Sequence, residues 1–280
     1  MMRVNVESIS QGIYKDIPSE DVVGYLQRER SILAWAIDGA STLTESPFTT
    51  FDCISDAGWF ARRLADLLRQ LETTAFRKSN FHDGLDRLRQ EYCAMSKHIP
   101  PLENWPVAAA TIVETDFSVG TTLTVSIYRY ADCFDLVHQG ALPHSNREKP
   151  SAPQCLSYDA WKPCSGFEGQ PLEQLLQRRR QQQRNEFSTA LTLNPKSALN
   201  AAEEHLTIHT PAHILLGTDG LSRIWETYNL IPREQAIELV ARSGLSTLLN
   251  ILRNHEATIP AGETSGKRRD DASGIYVSLL

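Results

Sequence analysis

The order of strand-like and helix-like segments constrains the fold of this chain more than any other sequence feature. Apolar runs rich in β-branched and aromatic residues predict strands at 2–8, 22–27, 31–37, 108–114, 122–128, 133–138, 212–217 and 274–280. Apolar residues at helical spacing predict helices at 57–71, 80–97, 170–184, 197–205, 233–242 and 245–254. Because these segments do not alternate as βαβ units do, the sequence predicts an α+β layered fold rather than a parallel doubly wound sheet.

Composition is that of an ordinary globular protein. The chain has 280 residues with 41% hydrophobic and 22% charged residues, and it contains neither an internal repeat nor a convincing linker. We therefore expect a single domain spanning 1–280. The formal net charge of −6 disfavours a nucleic-acid partner. The one basic run, 178–184, is interleaved with glutamines and predicts a solvated helix face.

Cysteine usage and hydropathy predict a cytoplasmic protein. The five cysteines lack the paired spacing of a disulfide framework or a zinc site, which fits a reducing compartment. Residues 1–11 lack the apolar stretch of a signal peptide. No apolar run approaches the roughly 18 residues that a membrane span needs, so no membrane association is expected.

Three acidic positions share one context, the end of an apolar strand. Asp38 follows the run SILAWAI, Asp219 follows ILLGT, and Asp270 precedes GIYVSLL. Any one Asp-Gly pair is most simply a turn in which a strand stops. Strand ends can converge on one edge of a sheet, however, and carboxylates gathered there need cations to offset their repulsion. Oxygen ligands suit Mg²⁺ or Mn²⁺, and two such ions about 3.5–4 Å apart can clamp a phosphate for in-line attack.

An ordered set of short motifs resembles the type 2C, metal-dependent serine/threonine protein phosphatases, in particular their bacterial branch. The motifs occur in the family's order over nearly the whole chain, roughly 4–280. They are Ser19-Glu20-Asp21, Ile37-Asp38-Gly39-Ala40, a hairpin at 130–140 containing Asp132, Leu215 to Leu221 with Asp219-Gly220, and Arg269-Asp270-Asp271-Ala272-Ser273.

The resemblance implies a fold and a set of roles. The fold would be a four-layer α-β-β-α sandwich, in which two antiparallel sheets are flanked by helices. Asp38 would bridge two divalent ions, Mn²⁺ or Mg²⁺, and Asp219 and Asp270 would hold the first ion. Glu20 and the Gly39 carbonyl would hold the second. In some relatives the position of Asp132 binds a third, weaker ion.

The sequence departs from the family pattern at several places. Ala40 stands where eukaryotic relatives have a histidine proposed as general acid, and Ala131 replaces the glycine of the hairpin motif. No arginine precedes the first acidic motif at the usual place. Lys15 is the nearest cation there and would meet the phosphate as a point charge rather than a fork. The flap that often helps define substrate choice would lie around 144–169.

The sequence thus predicts a phosphatase with Asp38, Asp219 and Asp270 as its central residues. Its substrate would be phosphoserine or phosphothreonine in a protein, with a serine/threonine kinase as the opposing enzyme. Two alternatives remain open. One is a pseudophosphatase that uses the same fold as a binding or regulatory module. The other is a different metal-dependent hydrolase with a carboxylate site.

Overall fold

A computed structural model of the chain describes residues 2–14, 16–43, 49–72, 74–142, 168–259 and 269–280. Within these residues the strands are β1 Val4–Gln11, β2 Val22–Gln27, β3 Ser31–Gly39, β4 Val107–Val119, β5 Thr122–Tyr130, β6 Phe134–Gln139, β7 Leu191–Thr192, β8 Ala202–His209, β9 Ala212–Gly217 and β10 Ala272–Leu279. The helices are α1 Asp56–Arg69, α2 Lys78–Met95, α3 Gly169–Gln183, α4 Asp219–Glu226, α5 Arg233–Ser243 and α6 Leu245–Thr258. Short 3₁₀ helices occupy Leu102–Asn104 and Pro195–Asn200.

The strands form two antiparallel sheets. The first sheet has the order β1-β10-β9-β6, and the second has the order β2-β3-β4-β5-β8, with β7 paired to β4. The chain passes between the sheets several times, since β1 belongs to the first, β2 to β5 belong to the second, and β6 returns to the first. The ends of strands that are distant in sequence are thereby brought together at one end of the sandwich.

A middle apolar layer lies between the two sheets. Because successive residues of a strand face opposite sides, Ile32, Ala34 and Ala36 of β3 enter this layer. Ile214 of β9 and Ile275 of β10 enter it from the first sheet. These fully buried positions make the sandwich a continuous core, which is why β3, β9 and β10 have near-continuous apolar sequences.

Two outer apolar layers attach the helices. The alternate residues of β3, such as Trp35, share a buried cluster with Phe60 of α1 and Leu85 of α2. On the opposite face, Tyr276 of β10 shares a cluster with Leu248 of α6 and with α4 and α5. The arrangement is therefore helices, sheet, sheet, helices, which confirms the α+β class and the four-layer α-β-β-α sandwich.

Two local predictions were wrong. The helix predicted over 197–205 is instead a 3₁₀ turn followed by β8, whose residues alternate between exposed and half-buried as an edge strand requires. The pair Asp38-Gly39 is not a turn, because both residues continue β3 in register with Ala109 and Ala108 of β4. Asp38 is therefore held by its pairing with β4 rather than by a loop.

None of the helices in the described part of the chain is both long and apolar enough to cross a membrane.

Candidate active site

Four of the sequence-predicted aspartates line one cavity of about 270 Å³. Asp38 comes from the end of β3, Asp219 from the junction after β9, and Asp270 from the residues just before β10. Asp132 comes from the turn between β5 and β6. The sandwich thus brings together side chains that lie more than 200 residues apart in sequence, between positions 38 and 270.

Asp38 lies at the centre of this carboxylate group. Its carboxyl group lies close enough to that of Asp219 for the two to interact. Burial raises the pKa of the Asp38 carboxyl well above its usual range, and the nearby charges of Asp21, Asp219 and Asp270 raise it further. Crowded carboxylates of this kind favour either a proton or a cation among them.

The Asp219 position depends on a sharp junction between strand and helix. Thr218 ends the strand pairing, and Asp219 is the first residue of α4. The next residue is Gly220, and a side chain does not fit there because a Cβ atom would lie 1.8 Å from the carbonyl oxygen of Asp271. Only glycine lets α4 approach the segment that carries Asp270 this closely.

A buried hydroxyl group connects this junction to two other motifs. The Thr218 Oγ1 donates to Asp21 Oδ2 at 2.8 Å and accepts from the Ser273 backbone N–H at 3.1 Å. Burial raises the pKa of the Asp21 carboxyl well above its usual range, and the charge of Asp271 adds to the effect, while the Thr218 hydrogen bond opposes it. Asp21 therefore lies behind the site and ties the first acidic motif to the junction at Thr218.

Asp271 anchors the first acidic motif directly. Its carboxylate accepts from the Ile13 N–H at 3.0 Å, the Ser19 hydroxyl at 3.0 Å and the Glu20 N–H at 2.6 Å. Burial raises the pKa of this carboxyl, and the two backbone hydrogen bonds partly offset that rise. The residue next to Asp270 thus fixes where Glu20 stands.

Glu20 lies beside the cavity and is held on both of its oxygens. The Ser55 hydroxyl donates to Oε1, and the Ser41 hydroxyl donates to Oε2 at 3.2 Å. Ser41 itself lines the cavity, whereas Glu20 is set one step behind it. Gly39 permits this closeness, because a Cβ atom there would meet the Glu20 carbonyl oxygen at 2.9 Å.

Asp132 stands at the exposed rim of the cavity. It follows Ala131, whose φ of 59° lies in the left-handed region that favours glycine. This explains why the resemblance places a glycine at that position. The alanine side chain at this position is exposed.

Arginines from α3 line the same cavity as the carboxylates. Leu175, Arg178, Arg179 and Gln182 all line it, at the i, i+3, i+4 and i+7 spacing of one helix face. The prediction of a solvated helix face at 178–184 was therefore wrong for Arg179, which is half-buried, and for Gln183, which is buried, whereas Arg178 is exposed. It holds for Arg180, which points to solvent and pairs with Glu103 at 2.6 Å.

Lys15 and most of the predicted flap, residues 143–167, lie outside the described residues. The remaining predicted site residues are all present in the described part, and the sequence reasoning did not assign roles to Asp21, Asp271, Ser41 or Arg179. Asp21 and Asp271 are adjacent to assigned motif residues, which is a usable signal. Arg179 had no such signal, because the register of a helix against a cavity is a tertiary property.

The donor set fits hard divalent cations in its chemistry. Every candidate ligand is an oxygen atom, from Asp38, Asp132, Asp219, Asp270 or Glu20. Among the described residues, no group of three or more acidic, histidine or cysteine side chains already has the spacing of a metal site. The observed arrangement is thus a shared carboxylate cavity.

No protein-family model matches this sequence, and no curated protein matches it either. Solved structures do match. The catalytic domain of the serine/threonine protein phosphatase PstP in complex with two manganese ions has 13% identity and a TM-score of 0.54, with 100% of each chain covered. PppA of Pseudomonas aeruginosa, a regulatory component of T6SS, has 13% identity and a TM-score of 0.52, with 99% of this chain and 98% of that chain covered.

A third match is the PP2C phosphatase domain of SpoIIE from Bacillus subtilis, with a fragment of its regulatory domain. It has 12% identity and a TM-score of 0.52, and the alignment covers 99% of this chain and 64% of that one. At these identities the similarity establishes the fold. The chain has the fold of the type 2C phosphatases, as its motifs implied.

Proposed function

We propose that this protein is a metal-dependent phosphatase that hydrolyses phosphoserine and phosphothreonine in proteins. The observation that carries the proposal is the convergence of Asp38, Asp132, Asp219 and Asp270 on one cavity. The type 2C phosphatase fold supports it, because a solved chain of that fold holds two manganese ions.

In this proposal each acidic residue has one place. Asp38 would be a ligand of two divalent ions, Asp219 and Asp270 would hold the first, and Glu20 with the Gly39 carbonyl would hold the second. Asp132, which is exposed, would hold a third and weaker ion. When bound, the ions supply Lewis-acid activation of water and neutralise the charge of the phosphoryl group.

The chain's own residues hold the Glu20 carboxylate and backbone in position. Ser41 and Ser55 fix the Glu20 carboxylate, and Asp271 fixes the Glu20 backbone. Position 40 is an alanine, so that residue has no proton to give to the departing serine or threonine alkoxide, and we assign this proton to solvent. Phosphoryl transfer depends mainly on such positioning and on charge.

A covalent thiol mechanism finds no support at Cys133. Its thiol is buried, and burial together with the charge of Asp38 raises its pKa well above the usual range. A thiol in this environment stays protonated and is a poor nucleophile. We therefore propose direct attack by water, with no phosphoenzyme.

The test is a manganese titration of phosphopeptide hydrolysis by the wild-type protein and by Asp38→Asn and Asp219→Asn. Both variants should lose at least about 100-fold in turnover, because electrostatic stabilisation of the transferring group is lost. Asp86→Asn, which removes an exposed carboxylate on α2, should keep wild-type activity. Full activity of either site variant at low Mn²⁺ would refute the assignment.

A pseudophosphatase remains the second candidate. Ala131 in the hairpin motif and the missing arginine ahead of the first acidic motif are the observations that favour it, since both depart from the family pattern that the sequence resembles. The same titration distinguishes the two, because a binding module would bind Mn²⁺ or a phosphopeptide without turning it over. Preference for nucleotides or small esters over phosphopeptides would instead indicate a different metal-dependent hydrolase.

A further inference from the structure

The arginine that type 2C relatives place ahead of the first acidic motif has no counterpart at that position here, yet α3 presents a guanidinium group to the carboxylate cavity. We infer that Arg179 binds the phosphate group of the substrate. The inference rests on the proposed function and assigns it a phosphate-recognition residue from a different part of the fold.

The first support is placement. Arg179 lines the same cavity as Asp38, Asp219 and Asp270, and it is half-buried whereas its neighbour Arg178 is exposed. The negative charges of Glu20 and Asp38 favour the charged form of the Arg179 guanidinium. Because Arg179 and these carboxylates line one cavity, a phosphoryl group bound there would lie between them.

The second support is availability. Within the described part of the chain, Arg179 makes one hydrogen bond, from Nη2 to the Ser41 carbonyl oxygen at 3.3 Å, and no ion pair. Burial lowers the pKa of Arg179 to about 10, so it stays charged at neutral pH. A guanidinium has five N–H donors in a planar fork that suits phosphate oxygens. Most of these donors are uncommitted here.

The third support is that α3 is fixed without help from Arg179. The Gln183 side-chain amide donates to the carbonyl oxygens of Trp105 at 3.1 Å and Pro106 at 2.9 Å. The Asn194 amide donates to the Gln183 carbonyl oxygen at 3.0 Å, and Arg180 pairs with Glu103. The backbone of α3 is therefore positioned beside the cavity independently of the Arg179 side chain that it carries, as a recognition residue requires.

This geometry predicts how a phosphoryl group would be oriented. Asp38, Asp219 and Asp270 line the cavity from the strand ends and would hold the cations there, and Arg179 lines it from α3. Phosphate oxygens that face away from the ions would then face the guanidinium fork. Arg179 would strengthen substrate binding and orient the phosphate without taking part in metal binding.

The experiment compares Arg179→Ala and Arg179→Lys with Arg184→Ala, an exposed arginine at the end of the same helix, as the matched control. Three quantities are measured: the KM for a phosphopeptide, the inhibition constant of inorganic phosphate, and the Mn²⁺ concentration that half-saturates thermal stabilisation. Arg179→Ala should raise the first two by about tenfold or more, because charge-assisted hydrogen bonds are lost. The Mn²⁺ midpoint should stay within about twofold.

Arg179→Lys should fall between the wild type and Arg179→Ala, because lysine keeps the charge and loses the fork. Arg184→Ala should match the wild type. If Arg179→Ala folds and leaves both the KM and the phosphate inhibition constant within about twofold of the wild type, the inference is wrong.

The two proposals fail in different ways. Absence of turnover by the wild-type protein would refute the phosphatase proposal alone. Calorimetric titration of inorganic phosphate into the Mn²⁺-loaded protein would then test Arg179 directly. Equal phosphate affinity in the wild type and in Arg179→Ala, or no phosphate binding by either, would overturn the inference.

Discussion

Arg253 of α6 donates a hydrogen bond from Nη2 to the backbone carbonyl oxygen of Asp270 at 2.8 Å, 17 residues away. The same guanidinium pairs with the buried carboxylate of Glu256 at 2.7 Å and contacts the Gln11 side chain at 3.0 Å. A side chain that is only 3% exposed thus connects α6, the end of β1 and the segment carrying Asp270.

We expect Arg253→Ala to destabilise the protein by about 3 kcal/mol or more, since removing one partner of a buried ion pair leaves the other without its main compensation. It should also weaken the response to Mn²⁺, because Asp270 loses its backbone anchor. Arg87→Ala, at an exposed position on α2, is the control. Urea denaturation with and without Mn²⁺ measures both effects, and a loss no larger than that of Arg87→Ala would contradict the anchoring role.

Gly220 provides a second test of how the site is positioned. A Cβ atom there would overlap the Asp271 carbonyl oxygen, so Gly220→Ala must shift either α4 or the segment of Asp270 and Asp271. We expect a loss of about 2 kcal/mol or more in the free energy of unfolding, with a large loss of Mn²⁺-dependent activity. Gly58→Ala, whose closest neighbour is the flexible end of Arg62 at 3.0 Å, should be tolerated. Equal stabilities of the two variants would show that no close approach exists at Gly220.

The four-layer fold could be predicted from the sequence because its signals are local. The apolar run Ser31–Ile37 indicates a strand, and the helical spacing of apolar residues over 57–71 indicates a helix. The pair Asp38-Gly39 misled, because a local turn signal was overridden by pairing of β3 with β4. The segment at 197–205 misled for the same reason, since β8 is a strand through its pairing with β5.

The candidate site likewise has a part that could be predicted from the sequence and a part that could not. The aspartates could be selected because each follows or precedes an apolar strand, and the structure brings Asp38, Asp219 and Asp270 to one cavity. The arginines that contact this segment or line this cavity could not be predicted from the sequence. Arg253 reaches Asp270 through tertiary packing, and Arg179 faces the cavity only because α3 is anchored through Gln183. Neither relationship leaves a periodic or motif signal in the sequence.

The turn before Asp132 offers a substitution that should improve stability. Ala131 has a φ of 59°, and the left-handed region costs an L-residue about 1 kcal/mol relative to glycine. Ala131→Gly should therefore stabilise the fold by up to about 1 kcal/mol, less the entropy that glycine adds to the unfolded chain. Asn229→Gly, at a φ of 49° where asparagine is tolerated, should gain less. Thermal unfolding measures the effect, and a lower melting temperature for Ala131→Gly than for the wild type would refute backbone strain at Ala131.

The crowding of carboxylates around Asp38 predicts how stability should respond to Mn²⁺. A cation that binds only the folded state stabilises it by mass action, by about 2.7 kcal/mol at a concentration 100 times its dissociation constant. The wild-type protein should therefore show a melting temperature that rises with Mn²⁺. Asp38→Asn should lose most of this rise, because it removes the ligand proposed to lie between both ions.

Without the metal, the wild type should no longer be more stable than Asp38→Asn, as it should be in Mn²⁺. Asp38 is surrounded by the charges of Asp21, Asp219 and Asp270, and these disfavour its ionised form in the folded state. Asparagine keeps the shape and removes the repulsion, so in EDTA at neutral pH Asp38→Asn should be at least as stable as the wild type, with a gain of about 0.5–2 kcal/mol. Calorimetric scans of both proteins in EDTA and in Mn²⁺ measure the crossover. A variant that is less stable than the wild type in EDTA, or that keeps the full Mn²⁺ response, would show that Asp38 has a structural role instead.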